Sequence, residues 1–111
     1  MGFFSKLFGG GELGALRKAA IKGDADAQSE LGSKYRFGEG VQRDDYEAFQ
    51  WYAKAAIQGH MFAQFYLGIM YATGQGIQKD RNKAIALLQN AAAHGIPNAE
   101  QALQEAISMR D

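Results

Sequence analysis

The sequence predicts an all-α solenoid, a single domain in which pairs of helices stack side by side. Similar residues recur every 36 positions along the chain, and within each unit the apolar residues follow two helical periods separated by a glycine-containing turn. The composition, with 47% hydrophobic and 22% charged residues among 111, is typical of one globular domain.

The period of 36 residues keeps several residue types in register. Gly23, Gly59 and Gly95 occupy one position in three successive units. Two further triplets and many pairs share the period, namely Ala27, Ala63 and Ala99; Leu31, Leu67 and Leu103; and Gly32 with Gly68, Tyr35 with Tyr71, Gly38 with Gly74, Gly40 with Gly76, Asp44 with Asp80, Ala48 with Ala84, and Ala55 with Ala91. Chance does not produce such a register, so each unit repeats one structural motif.

The first predicted helix, near residues 12–22, is the second helix of a preceding unit, because Ala19 and Ala20 align with Ala55 and Ala56. The next two helices lie near residues 25–37 and 45–58. Apolar residues recur there at the helical spacings of three and four, as in Ala27, Leu31 and Tyr35 and in Ala48, Trp51, Tyr52, Ala55 and Ala56.

The turn between these two helices contains two glycines. We expect Gly38 to end the first helix in the left-handed conformation and Gly40 to let the chain reverse. Asp44 followed by Glu47 predicts a capping box at the start of the second helix. The pair is therefore predicted to form a helical hairpin.

The remaining helices, near residues 61–73, 81–94 and 98–109, repeat this pattern, and Asp80 is their expected counterpart of Asp44. Gln104 replaces the glycine found at Gly32 and Gly68. We expect a small residue only where another helix backbone approaches closely, so the sixth helix is predicted to be an end cap.

These residues resemble the Sel-one-like repeat, a relative of the tetratricopeptide repeat. The matching motifs are Ala27-Gln28, Leu31-Gly32, Gly38-Glu39-Gly40-Val41, Trp51-Tyr52, Ala55-Ala56 and Gly59-His60, with their counterparts one period later. The resemblance covers about residues 12–109 and implies a right-handed superhelix of about two full and two half repeats. It also implies a role in protein interaction.

The charge and the cysteine content exclude several function classes. Twelve Lys and Arg balance twelve Asp and Glu, so no basic field favours nucleic acid as a partner. The absence of Cys excludes disulfides and thiolate zinc sites, and it suits a reducing compartment. The start of the chain lacks the features of a signal peptide. We therefore expect a cytoplasmic protein.

No catalytic or cofactor motif is apparent. The two glycine-rich turns join helices instead of following a strand, so they are not nucleotide-binding loops. His60 and His94 lack partners at metal-ligand spacing, and the serines lack the surroundings of a nucleophile. The sequence therefore predicts a protein that is not an enzyme and holds no metal or cofactor.

The resemblance implies that the first helix of each unit lines an inner groove. The groove positions are polar in the first unit and again in the third, but apolar in the second: Asp26, Ser29, Ser33 and Arg36, then Phe62, Phe65 and Ile69, then Asn98, Gln101, Glu105 and Ser108. One interpretation is a groove that binds a peptide or helix of a partner protein. The alternative is that Phe62 and Phe65 pack against neighbouring helices. Trp51 and Tyr52 are expected to be structural.

Residues 1–11 are predicted to be a flexible apolar tail in front of a repeat domain at 12–111. The tail contains Phe3, Phe4, Leu7 and Phe8, which suit docking on protein better than the weak membrane binding of one short apolar patch. The predicted function is a non-enzymatic adaptor. The alternatives are a membrane-peripheral or self-associating factor that uses the tail, and an inhibitor of a partner enzyme.

Overall fold

The computed structural model describes residues 11–110, and every structural statement below concerns this range. It contains six α-helices and no strand: α1 (Gly11–Ile21), α2 (Ala25–Phe37), α3 (Asp45–Ile57), α4 (Met61–Thr73), α5 (Arg81–Ala93) and α6 (Ala99–Ser108). The predicted all-α fold is confirmed, and the predicted helix bounds agree with the observed ones to within one residue. Gly11, assigned to the tail by the sequence, is the first residue of α1.

Side chains at the helix starts accept hydrogen bonds from otherwise unpaired backbone N–H groups. The carboxylates of Asp24, Asp44 and Asp80 do so at α2, α3 and α5, and the ring of His60 does so at α4. Asn98, before α6, makes no such bond. Four of the six helices therefore begin with a side-chain cap.

The predicted capping box at Asp44 is only half formed. The Asp44 carboxylate accepts the N–H of Glu47 at 3.0 Å, but the N–H of Asp44 donates to the carbonyl of Tyr35 at 2.9 Å and not to the Glu47 side chain. Asp80 donates to the carbonyl of Tyr71 in the same way. The prediction of a reciprocal box is wrong because this N–H ties the two helices of the hairpin together.

Both hairpin turns have the predicted glycine conformations. Gly38 and Gly74 end α2 and α4 with φ of 69° and 76°, and Gly40 and Gly76 both have φ of 75°. A residue with a Cβ is strained at such angles, which explains why glycine recurs at these positions.

Each helix packs against the next one along the chain, and α4 also contacts α6. The result is an elongated solenoid of 49 × 23 × 20 Å. The core consists of three clusters, which lie between α1 and α2, between α3 and α4, and among α4, α5 and α6. Tyr35 and Tyr71 each pack against two of these clusters.

Gly32 and Gly68 leave space for a side chain of the following helix. A Cβ on Gly32 would lie 2.9 Å from a ring carbon of Tyr52, and one on Gly68 would lie 2.9 Å from Cγ of Leu88. The expectation of close helix backbones is therefore wrong, since a buried side chain makes the close approach. Gln104, at the equivalent position of α6, is exposed.

Candidate functional site

Helix α4 contributes to two opposite surfaces of the solenoid. Because successive helical residues are rotated by about 100°, Phe62, Phe65 and Ile69 share one side. Gln64 and Tyr71 lie on the opposite side. We call the surface formed by α2, α4 and α6 the inner face.

Three sets of contacts bring the helices of the inner face together. His60, at the start of α4, lies 3.0 Å from the carboxylate of Asp26 on α2. The guanidinium of Arg36 on α2 lies 5.3 Å from the ring centre of Tyr66 on α4. Phe65 and Ile69 pack against the cluster that includes Leu103 and Ala106 of α6.

The apolar strip predicted for the groove is only partly open. Phe62 is 50% exposed, whereas Phe65 and Ile69 are half-buried against the cluster shared by α4, α5 and α6. Both interpretations of the strip therefore apply to part of it. Phe62 is available to a partner, and Phe65 and Ile69 belong largely to the packing.

The polar groove residues also differ from one another. Asp26 is exposed, Ser33 and Arg36 are half-buried, and Gln101 is exposed and donates to Glu105 at 3.3 Å. The expectation that Ser29 is solvated is wrong, since it is 8% exposed. It lies one helical turn after Asp26, whose carboxylate contacts the His60 ring at the start of α4.

Arg36 is held between aromatic rings and not by a carboxylate. Its guanidinium lies 5.2 Å from the ring centre of Phe37 as well as 5.3 Å from that of Tyr66. Neither ion pair found in residues 11–110 involves Arg36. The sequence did not identify Phe37 or Tyr66 as groove residues, because each is the neighbour of a position that the family resemblance assigns to the groove.

Tyr52 lies behind this aromatic group. Its ring stacks on Tyr66 with 5.3 Å between ring centres, and its buried hydroxyl has no hydrogen-bond partner within residues 11–110. Burial raises the pKa of the Tyr52 phenol. Ser33 and Arg36 lower this pKa by less, and neither bonds the hydroxyl with normal geometry.

The opposite side of α4 forms the floor of a second surface, a cavity of about 440 Å³ between α3 and α5. We call this cavity the valley. Its lining is mainly apolar: Ala53, Ala56 and Ile57 of α3, Gln64, Leu67 and Tyr71 of α4, and Ala86, Leu87 and Asn90 of α5. The sequence interpretation missed it, since it depends on residues from three helices.

Both histidine rings are engaged by neighbouring groups. Nδ1 of His60 accepts the N–H of Ala63 at 3.1 Å, so Nε2 carries the proton and donates to Asp26. Nδ1 of His94 lies 2.8 Å from the carbonyl of Asn90, to which it donates. Residues 11–110 contain no group of three or more His, Cys, Asp or Glu that could hold a metal. None of the six described helices is long and apolar enough to cross a bilayer.

The fold and its surfaces define a helical-repeat protein. A family model described as the Sel1 repeat matches residues 25–60 and 62–96, so the chain belongs to the Sel1 repeat family. The resemblance stated from the sequence is thereby confirmed. Proteins built from this repeat generally mediate protein–protein interactions.

Several solved structures have the same fold. A Sel1 repeat protein from Oxalobacter formigenes is 42% identical with a TM-score of 0.77, and the match covers 81% of this chain and 68% of that one. A protective antigen of uropathogenic Escherichia coli with an SLR fold is 37% identical with a TM-score of 0.78; the match covers 82% of this chain and 20% of the antigen. The Helicobacter pylori cysteine-rich protein B is 26% identical with a TM-score of 0.73, and the match covers 80% of this chain and 67% of that one. No curated protein matches the chain.

Proposed function

We propose that the protein is a non-enzymatic adaptor that binds a peptide or helix of a partner protein along its inner face. The observation that carries this proposal is the 50% exposure of Phe62, at the start of the central helix of that face. The Phe62 ring lies beside the His60 ring, with 6.4 Å between ring centres, and aromatic side chains are enriched in the cores of protein interfaces.

Arg36 gives the proposed partner a second feature. Tyr66 lies one helical turn after Phe62 and holds the Arg36 guanidinium against its ring. Such a guanidinium retains hydrogen-bond donors for a carboxylate. A suitable segment therefore carries an apolar side chain for Phe62 and an acidic side chain for Arg36.

The engagement of His60 supports a function without catalysis at this residue. Its Nδ1 caps α4 and its Nε2 donates to Asp26. A general base needs a ring nitrogen free to reach a substrate. The cysteine-free sequence supports a reducing compartment such as the cytoplasm.

Affinity purification with mass spectrometry tests the proposal by comparing Phe62→Ser with the wild type. We expect the variant to lose partner capture while its melting temperature stays close to the wild-type value, since Phe62 loses little burial. Tyr46→Ser is the matched control, because Tyr46 is a similarly exposed aromatic residue at 57%, on α3 and away from the inner face. This control should capture the same partners as the wild type.

A second variant separates binding from folding. Phe65→Ser should lower the free energy of unfolding by about 2 kcal/mol, less than the 3–5 kcal/mol expected for a fully buried Phe, because Phe65 is half-buried. Undiminished capture by Phe62→Ser, at normal stability, would reject the inner face as the binding site.

A further inference from the structure

We propose that the valley between α3 and α5 receives the apolar residues 3–8 of a second copy of this chain. The proposal concerns a surface opposite the inner face and does not depend on the function proposed above. It rests on the lining of the valley, on a comparison of the valley with its counterpart one repeat earlier, and on the small number of residues between residues 3–8 and α1.

The valley presents a mainly apolar surface, and the two amide side chains in its lining are already paired. The side-chain amide of Gln64 donates to the carbonyl of Ala56 at 3.2 Å, and the amide of Asn90 donates to the side-chain oxygen of Gln64. Between these groups lie Leu67 on the floor and Leu87 on one wall. A volume of about 440 Å³ falls in the range of ordinary ligand pockets.

In the corresponding valley one repeat earlier, longer side chains stand at two of the equivalent positions and cover aromatic rings. One period of 36 residues before Ala53 lies Arg17, which donates to the hydroxyl of Tyr35 at 2.9 Å and covers its ring at 5.7 Å. One period before Leu87 lies Trp51, whose ring is covered by Lys54 at 5.0 Å.

The valley has short side chains where its counterpart one repeat earlier has long ones. Ala53, Ala86, Leu87 and Asn90 stand in the places of Arg17, Gln50, Trp51 and Lys54. The open surface is therefore a property of the valley that its counterpart one repeat earlier does not share. Open apolar surface of this kind is characteristic of interaction sites.

The tail has the chemistry that the valley requires. Residues 1–8 contain three of the 7 Phe residues of the chain together with Leu7, and Gly9 and Gly10 join them to α1. An aromatic side chain that enters the valley would contact the Leu67 and Leu87 side chains and the Tyr71 ring. Burial of apolar area is then the main source of affinity.

The reach of the tail assigns this contact to a second copy. The valley lies between the third and fifth of six helices, so it is about half of the 49 Å long axis away from α1. Its α3 residues, Ala53 to Ile57, also lie roughly 12–18 Å along the helix from Asp45 at 1.5 Å per residue. Because α1 and α3 run in the same direction and the two displacements are roughly perpendicular, together they place the valley about 27–30 Å from Gly11.

Residues 3–8 lie three to eight residues before Gly11, so they reach at most roughly 11–29 Å from it when the chain is fully extended. A tail that stretched to the valley of its own chain would therefore have no length left to dock. A neighbouring copy has no such restriction. Since the tail and the valley are different surfaces, each copy donates one contact and accepts another.

Sedimentation equilibrium of the full chain over a range of concentrations tests the proposal. We expect the weight-average mass of the wild type to rise above 12.1 kDa with concentration. Phe4→Ser/Phe8→Ser and Ala53→Arg should both remain at 12.1 kDa up to the highest concentration used. Ala53→Arg should fold normally, because the preceding repeat has an arginine, Arg17, at the equivalent position. Tyr71 stands where Tyr35 accepts the hydrogen bond of Arg17.

A mixture of the tail variant, Phe4→Ser/Phe8→Ser, with Ala53→Arg distinguishes the proposed contact from nonspecific association. The tail variant retains an intact valley, and Ala53→Arg retains an intact tail, so an equimolar mixture should form pairs and nothing larger. Gln89→Arg is the control for charge, since Gln89 is exposed on α5 outside the lining of the valley. It should associate like the wild type.

Three results would overturn the proposal: a wild-type chain that stays monomeric throughout, association of Ala53→Arg that equals that of the wild type, or association of the tail variant. A labelled peptide of residues 1–10 provides an independent measurement by fluorescence anisotropy. It should bind the tail variant and bind Ala53→Arg at least tenfold more weakly.

Discussion

Tyr52 and Gly32 illustrate how one residue depends on another across a helix pair. The ring of Tyr52 occupies the space that a side chain at Gly32 would fill, so the aromatic residue and the glycine belong together. In the next unit the Leu88 side chain occupies the space beside Gly68 in the same way. The ring of Tyr52 fits this site, but its hydroxyl is buried and has no hydrogen-bond partner among the described residues.

We expect Tyr52→Phe to raise the free energy of unfolding by about 1 kcal/mol, because it removes a buried polar group that lacks a partner. Tyr35→Phe is the matched comparison. It removes the 2.9 Å hydrogen bond from Arg17 and should lower the free energy by about 1 kcal/mol. Urea denaturation measures both values, and a loss of stability in Tyr52→Phe would show that its hydroxyl is bonded in solution.

The stabilities of the wild type and of Tyr52→Phe should depend differently on pH in alkaline solution. Burial raises the pKa of the Tyr52 phenol above the 10.0 of an unburied tyrosine. At pH values between 10.0 and the raised pKa, the Tyr52 phenol has lost its proton in the unfolded chain and has kept it in the folded chain. The stability of the wild type therefore falls as pH rises above about 10. Tyr52→Phe should show a smaller fall over this range.

At the scale of the element, the sequence predicts a helix well and its contacts less well. The period of 36 residues located all six helices, because apolar spacing and glycine turns are local properties of the chain. The reciprocal bond at Asp44 was predicted wrongly because its N–H is taken by Tyr35 from the preceding helix. The valley likewise depends on residues from three different helices.

Gly68→Leu tests the packing of α4 against α5. A Cβ at Gly68 would already lie 2.9 Å from the Leu88 side chain, so a leucine should overpack the interface and lower the free energy of unfolding by about 1–3 kcal/mol or more. Gln104→Leu makes the same addition at the equivalent, exposed position of α6 and should change stability by less than about 0.5 kcal/mol. Equal shifts in melting temperature would contradict this alignment of the repeats.

At the scale of the whole molecule, the fold is a row of units in which each helix contacts mainly its neighbours. The stability of such an array is approximately the sum of its units and their interfaces. The cluster between α3 and α4 lies in the middle and contains the fully buried Tyr52 and Met70. Among residues 11–110, helix α1 packs against fewer neighbouring helices than α3 or α4.

Hydrogen exchange should therefore vary along the chain. We expect backbone amides in α3 and α4 to exchange at least tenfold more slowly than those in α1, because the outer helices open without the middle ones. Mass spectrometry of peptides after exchange in heavy water measures this difference. Uniform protection from α1 to α6 would indicate a single cooperative unit.

Tyr35 and Tyr71, one period apart, are the residues that pack against two core clusters each within the described chain. Under a stretching force applied to its two ends, the solenoid should therefore give way at these tyrosines, in successive small steps instead of one large rupture. Below that force, slight rotations about the same two positions would change the pitch of the superhelix. The spacing of the side chains along the inner face would then adjust to the shape of whatever lies against it.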